Sequence, residues 1–161
     1  MPGEAAREDG WMGEAVAAAR QGIAAGQSPF GCVIVLGDAP LAAAHNQVWA
    51  AGDPTAHAEI TAIRLAAQRR GTISLAGCVL YSTCEPCPMC MAAIHWARIE
   101  RVVYGAAIAD AAAAGFHELA LSAARLLKLG RSPVRLEGGC RAAECRALFA
   151  EWQAAGKSAA Y

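Results

Sequence analysis

His57, Glu59, Cys87 and Cys90 are the residues of this chain whose types and spacing can do chemistry. His57-Ala58-Glu59 supplies an imidazole and a carboxylate, and Pro86-Cys87-Pro88-Met89-Cys90, about thirty residues on, supplies two sulfurs. One imidazole and two thiolates are good zinc donors. They are one fewer than a closed structural site uses, whereas a catalytic zinc keeps its fourth place for water or substrate. Zinc lowers the pKa of its water from about 15.7 to about 7. Glu59, not needed as a donor, is then the base that accepts a proton from that water. The chemistry implied is hydrolytic.

The arrangement H-x-E … P-C-x-x-C is that of zinc deaminases, which attack an amidine-like ring carbon. Two rival readings use the same residues. Cys84-x-x-Cys87-x-x-Cys90 resembles the opening of an iron–sulfur run, but the fourth cysteine of that run would fall at Ile94. A zinc domain that only binds a partner would use the same three donors and have no need of Glu59. Cys84 itself precedes Pro86 and reads as a small wall residue.

These side chains need helices and strands to hold them. A strand is expected over 30–36, paired as a hairpin with 41–45 across Gly37-Asp38, and 48–52 reads as a loop. Asp53 and Pro54 look like the N-cap and first turn of a helix running to about Arg70. A strand over 78–82, a helix from Cys87 to about Arg98 and a strand over 99–104 should form a right-handed parallel crossover. On helices, His57 and Glu59 diverge by about 200°, whereas Cys87 and Cys90 share one face. Both motifs sit at expected helix starts, where free amides and the helix dipole favour a thiolate. Elsewhere a helix is expected over 11–25, a loop over 109–115, a helix over 116–129, a short strand over 134–137 and a closing helix over 142–155. The first ten residues read as a flexible leader, and 11–161 as a single domain ending in a 157–161 tail. The sum is an α/β fold with a mixed five-stranded sheet and helices on both faces.

Composition narrows the setting. With 161 residues, 56% of them hydrophobic and 17% charged, the chain is long and apolar enough for one substantial core. Lys+Arg and Asp+Glu are both 14, which argues against a dedicated nucleic-acid binder while leaving room for a local basic patch. The apolar runs are shorter than the roughly 20 residues a membrane helix needs, and the first ten residues carry no secretory pattern. Seven cysteines, an odd number, read as metal or catalysis in a reducing compartment, so a cytoplasmic location is expected. Cys32, Cys78, Cys140 and Cys145 read as buried or incidental thiols, and His45 and His95 as structural.

At Ser28-Pro29-Phe30-Gly31, His45-Asn46, Asp53 to Glu59, Cys84 to Cys90 and Trp96-Ala97-Arg98 the chain resembles the cytidine deaminase-like superfamily. The likeness covers residues 28–116 closely, in the branch that holds bacterial guanine deaminases and tRNA adenosine deaminases. It implies a three-layer α/β/α sandwich and one Zn²⁺ held by His57, Cys87 and Cys90. Glu59 becomes the proton carrier, and the Ala58 amide assists the reaction. Asn46 corresponds to an asparagine that holds the ring, Phe30 to a pocket wall, and Trp96 to a residue that stacks on the ring or walls the pocket.

Within that branch the tRNA enzymes carry an Asp-Pro-Lys stretch after the fourth strand. Here Ala114-Gly115-Phe116-His117-Glu118 is similar to the guanine deaminase version, with Glu118 as the base-reading carboxylate. Guanine presents N1–H and an exocyclic amine on one edge, donors that a carboxylate accepts. The alternative for Glu118 is a solvated helix-start glutamate. Tyr161 is similar to a terminal tyrosine that closes a partner's active site after a domain swap, which implies a homodimer; otherwise it is a frayed end. The resemblance thus implies a free nucleobase as substrate, guanine before others, with no membrane or nucleic acid involved. A tRNA adenosine deaminase, or a deaminase of cytosine, a nucleoside or another amino-substituted heterocycle, stands as the alternative.

Overall fold

The computed structural model describes residues 3–161. Its elements run α1 (Glu4–Ala24), β1 (Gly31–Leu36), β2 (Ala39–His45), α2 (Val48–Ala51), α3 (Ala58–Arg70), β3 (Cys78–Cys84), α4 (Pro88–Trp96), β4 (Arg101–Ala106), α5 (Ile108–Ala113), α6 (Ala123–Gly130), β5 (Arg135–Glu137) and α7 (Ala142–Ala155). The sheet has the order β2-β1-β3-β4-β5. β1 is antiparallel to both β2 and β3, and β3, β4 and β5 are parallel. The mixed five-stranded α/β architecture matches the expectation, parallel β3–α4–β4 unit included.

The alternation of side chains along β1 and β3 divides the core. Cys32, Ile34, Cys78 and Leu80 face α3, α4 and α6, where Ala62, Ala66, Met91, Ile94 and Leu127 meet them. Val33, Val35 and Tyr81 face α1 and α7, meeting Met12, Val16, Leu148 and Trp152. A central strand covered on both faces has no polar side to show, so β1 reads Cys-Val-Ile-Val without interruption. Each fully buried large side chain contributes roughly 1.5–3 kcal/mol. Among the described residues, no helix is long and apolar enough to cross a membrane.

Several boundaries differ from expectation. Residues 4–10 are not a loose leader but the first turns of α1, and Met1 and Pro2 lie outside the described residues. Ala5 and Ala6 favour helix, and distant partners tie this stretch down: Arg7 pairs with Asp38, and Glu8 with Arg101. Asp53 does not cap α3. Its Oδ1 accepts from the Thr55 amide at 2.8 Å and hydroxyl at 2.7 Å, a local turn that competes with capping. Residues 48–51 form a short helix, 108–113 another, and 116–122 are irregular, with Ser122 capping α6 through the Arg125 amide.

Gly31 opens β1 where α1 crosses the sheet. A Cβ there would collide with the Ala15 carbonyl and come within 2.7 Å of the Ala19 amide, both helix backbone that cannot turn aside. Phe30 and Asn46 flank this crossing through the Asn46 N–H, which donates to the Phe30 carbonyl at 3.1 Å. We expect Gly31→Ala to push α1 off the sheet and to lower unfolding free energy by about 2–3 kcal/mol, as overpacking does, measured by urea denaturation.

Candidate active site

Two helices begin at the same point. His57 caps α3 with φ −63° and ψ 160°, and Cys87 caps α4 with φ −65° and ψ 168°. Both are extended, and neither side chain caps its helix. Their carbonyls start the helices, accepting from Thr61 and Met91, which leaves the imidazole and sulfur to point elsewhere. Pro88, at the first helical position, costs no hydrogen bond there. Cys90, one turn on from Cys87, lies on the same face.

His57 Nδ1 is 3.6 Å from Cys87 Sγ and 3.5 Å from Cys90 Sγ. Among the described residues these three form the cluster whose ligand atoms all lie within 4.8 Å of one another. With Zn–S of about 2.3 Å and Zn–N of about 2.05 Å, a tetrahedral ion sets N and S about 3.6 Å apart. The donor set therefore fits zinc in chemistry and in spacing. A hydrogen bond from Cys90, joined by one from His57, holds the Cys87 thiol down at about 4 against the effect of burial, while Cys90 is pushed up. A bound cation would need both sulfurs as thiolates and would displace the protons they carry. The Cys84 thiol turns away from the cluster, donating to the Ala107 carbonyl at 3.6 Å.

Glu59 is buried, and its carboxylate reaches across to the same cluster. Oε1 accepts from the Ser82 hydroxyl at 2.9 Å, and Oε2 lies 3.5 Å from Cys90 Sγ. One oxygen is thus anchored on β3 while the other faces the donors. Burial raises the pKa of this carboxyl, the His57 charge opposing and Cys87 adding to the rise. A carboxyl moved in that direction takes up a proton near neutral pH more readily than an exposed one, as a base that accepts from water must.

A cavity of about 430 Å³ opens over the cluster, within the usual size range of small-molecule sites. His57, Glu59 and Cys87 lie at its floor, Phe30 and Phe116 wall it, and Glu118 and Tyr161 close its other side. Phe30 and Phe116 meet edge to face at 5.0 Å, and Phe116 meets Tyr161 the same way at 5.5 Å. Half-buried Glu118 has its pKa raised by burial and by the charge of Cys87. Asn46 is fully buried beside this space. Its Oδ1 accepts from the Val48 amide at 3.0 Å, and that fixes its NH₂ group, which donates to the Tyr161 hydroxyl at 2.6 Å.

The 157–161 tail reaches the cavity of its own chain. Trp152 Nε1 donates to Ser158 Oγ at 2.9 Å, Trp49 Nε1 to the Ala159 carbonyl at 3.2 Å, and the His117 amide to the Tyr161 carbonyl at 2.9 Å. Ala58 is the buried first residue of α3, so its amide is one of those with no acceptor inside the helix. Trp96 is not brought to the site. It ends α4, nine residues and about 13 Å of helix beyond Cys87, and is 83% exposed. Spacing shows that the tryptophan shares a helix with the cysteines, but not at which end of that helix the cavity lies.

Four residues at or around the cavity were missed in the sequence. Ser82 stands out only as a hydroxyl inside an apolar strand, and Phe116 only as the aromatic that ends a small-residue run. Trp49 is a lone aromatic in a short apolar run, Val48 to Ala51, that reads as a loop. Glu85, buried between Cys84 and Pro86, looks like an ordinary turn residue until its partners are known.

Comparison with known proteins agrees with this geometry. The pattern of the cytidine and deoxycytidylate deaminase zinc-binding region matches residues 6–106. The guanine deaminase of Bacillus subtilis (strain 168) is 50% identical over 109 residues, 67% of this chain and 70% of that protein. A tRNA-specific adenosine deaminase of Aquifex aeolicus (strain VF5) is 44% identical over 88 residues, 55% of this chain and 58% of that one. The solved structure of the guanine deaminase from Nitrosomonas europaea superposes with a TM-score of 0.83 at 28% identity, covering 91% of this chain and 84% of that one. A zinc-type donor set at paired helix starts, a buried carboxylate beside it and strands β1 to β4 all fall within the matched region, and so the chain belongs to the cytidine and deoxycytidylate deaminase zinc-binding family.

Proposed function

We propose that this protein is a zinc-dependent guanine deaminase, converting guanine and water to xanthine and ammonia. The observation that carries the reading is that the acceptor-only carboxylate of Glu118 enters the same cavity as Glu59 and the metal donors. The 50% identical relative named guanine deaminase supports it.

His57, Cys87 and Cys90 hold the zinc, which supplies a water activated at neutral pH. Glu59 Oε2 carries both protons of the attacking water in turn: the first goes to ring N3 as the C2–O bond forms, the second to the amine as the C2–N bond breaks and ammonia leaves. Ser82 keeps Oε1 still, so the carboxylate works from one rotamer. Glu118 accepts from the N–H donors on the guanine edge, and the Asn46 amide, aimed by its bond to Val48, holds the ring from another side. Phe30 walls the ring, and the Ala58 amide lies at the end of α3 that favours developing negative charge. Tyr161 gives up its bond to Asn46 when the ring arrives and closes the cavity behind it.

The same reading takes the enzyme to be a cytoplasmic homodimer acting in purine metabolism, with a nucleobase and not a nucleic acid as its substrate. All seven cysteines are unpaired, which suits a reducing compartment. Exposed Trp96, beside the groove between α4 and α6, is an apolar surface that a second copy would cover.

We expect ammonia release from guanine, and little from guanosine, adenine, cytosine, ammeline or a tRNA anticodon stem-loop. Release from cytosine or the stem-loop with none from guanine rejects the assignment. Replacing Glu59 with Gln should cut turnover by about 10²–10⁴-fold, the usual share of general acid–base catalysis, while zinc content stays at one ion per chain. Loss of zinc and fold together would instead favour a purely structural site. In sedimentation the protein should run at twice the 16.6 kDa chain mass, and removing residues 157–161 should lower kcat/KM for guanine by about tenfold. A monomer of full activity, indifferent to the tail, rejects both parts.

A further inference from the structure

The segment that carries Phe116 and Glu118 lies between α5 and α6, and little of its own backbone holds it. Within it the Glu118 amide donates only to the Phe116 carbonyl and the Leu121 amide to the Leu119 carbonyl, each at a span of two residues. Such bonds shape a loop without attaching it to anything. Phe116 and His117 are held, their amides donating to the Ala111 carbonyl at 3.2 Å and the Tyr161 carbonyl at 2.9 Å, but residues 118–121 have no backbone bond of this kind, and their further attachment lies at the two ends of the segment. Glu85 Oε2 accepts from the Ile108 amide at 3.0 Å, and Oε1 from the Ala123 amide at 2.9 Å. Those amides belong to the first residues of α5 and α6.

The Glu85 carboxylate is buried, and no ion pair among the described residues includes it. Two helix-start amides, each with no acceptor in its own helix, offset the cost of burying that charge. Its backbone is fixed too, the Glu85 amide donating to the Ala106 carbonyl at 2.7 Å. Only Pro86 separates it from Cys87. One side chain therefore joins the wall of the cavity that carries Glu118 to the floor that carries the metal donors.

We propose that Glu85 is a positioning residue for substrate recognition: by tying together the starts of α5 and α6 it sets Phe116 and Glu118 at a fixed distance from the metal donors. Its effect on guanine rests on the reading that Glu118 contacts the base; its effect on the segment does not.

A Glu85→Gln change tests it. The amide keeps the volume but has one acceptor oxygen, so either the Ile108 or the Ala123 amide loses its partner. KM for guanine should rise by about tenfold or more, the size expected for a bond to a charged group. Meanwhile kcat should stay within about threefold and zinc at one per chain. Glu118→Gln should raise KM similarly, and the double variant no further than Glu118→Gln alone, because the two act through one contact. An unchanged KM in Glu85→Gln, or effects that multiply in the double variant, overturns the proposal. If Glu118→Gln leaves KM unaltered while Glu85→Gln raises it, the role of Glu118 fails and that of Glu85 stands, acting through Phe116. Should the Gln variant not fold, hydrogen exchange on the unaltered protein decides. The Ile108 and Ala123 amides should exchange at least about a hundredfold more slowly than those of 118–121, and fast exchange at either one rejects the link.

Discussion

The site depends on α3 and α4 starting at one spot with their first residues extended. In that conformation the cap residue's carbonyl enters the helix while its side chain leaves the helical path. His57 and Cys87 use this freedom in the same way, and their heavy atoms meet at 3.6 Å. The sheet sets the meeting point. α3 follows the β1–β2 hairpin and packs over it, α4 follows β3, and β3 pairs with β1. Where α1 crosses β1, the lack of a side chain at Gly31 lets helix and strand backbones touch, which sets the height of the layer beneath Phe30.

Two buried carboxylates flank this spot, and among the described residues neither takes part in an ion pair. Glu59 takes a hydroxyl from Ser82, and Glu85 takes two backbone amides. Neutral donors of this kind hold a carboxylate in place without cancelling its charge. For Glu59 that leaves an oxygen able to exchange protons beside the donors. For Glu85 it turns electrostatic cost into a fixed spacing between two helices. The same sequence run, Cys84 to Cys90, thereby supplies metal donors on one side and a strut for the facing wall on the other.

The central strands, the β1–β2 hairpin, the parallel β3–α4–β4 unit and α7 were legible, because two-sided burial and helical periodicity leave a repeating mark in one dimension. The ends of elements were less so. Asp53 has the chemistry of a cap and spends it on Thr55, and only the geometry of the loop tells which use prevails. The helical start of α1 carries no apolar stripe before Trp11, because it is held by Arg7 and Glu8 reaching partners far along the chain. Phe116 to Ser122 looks helical in composition, yet runs irregularly between helices whose starts Glu85 holds.

By itself the sequence determined the reactive atoms: which side chains can bind zinc, which carboxylate is left over, and that Cys87 and Cys90 share a helical face. These follow from residue type and from spacings within a single helix turn, which the backbone cannot alter. Tertiary structure decided what lies opposite those atoms. It took Trp96 out of the site, brought Phe116, Trp49 and Tyr161 to its rim, and gave Ser82 and Glu85 their partners. Each of those contacts joins segments more than twenty residues apart, or turns on which end of a helix faces a cavity. The packing of the sheet, not local spacing, sets that distance.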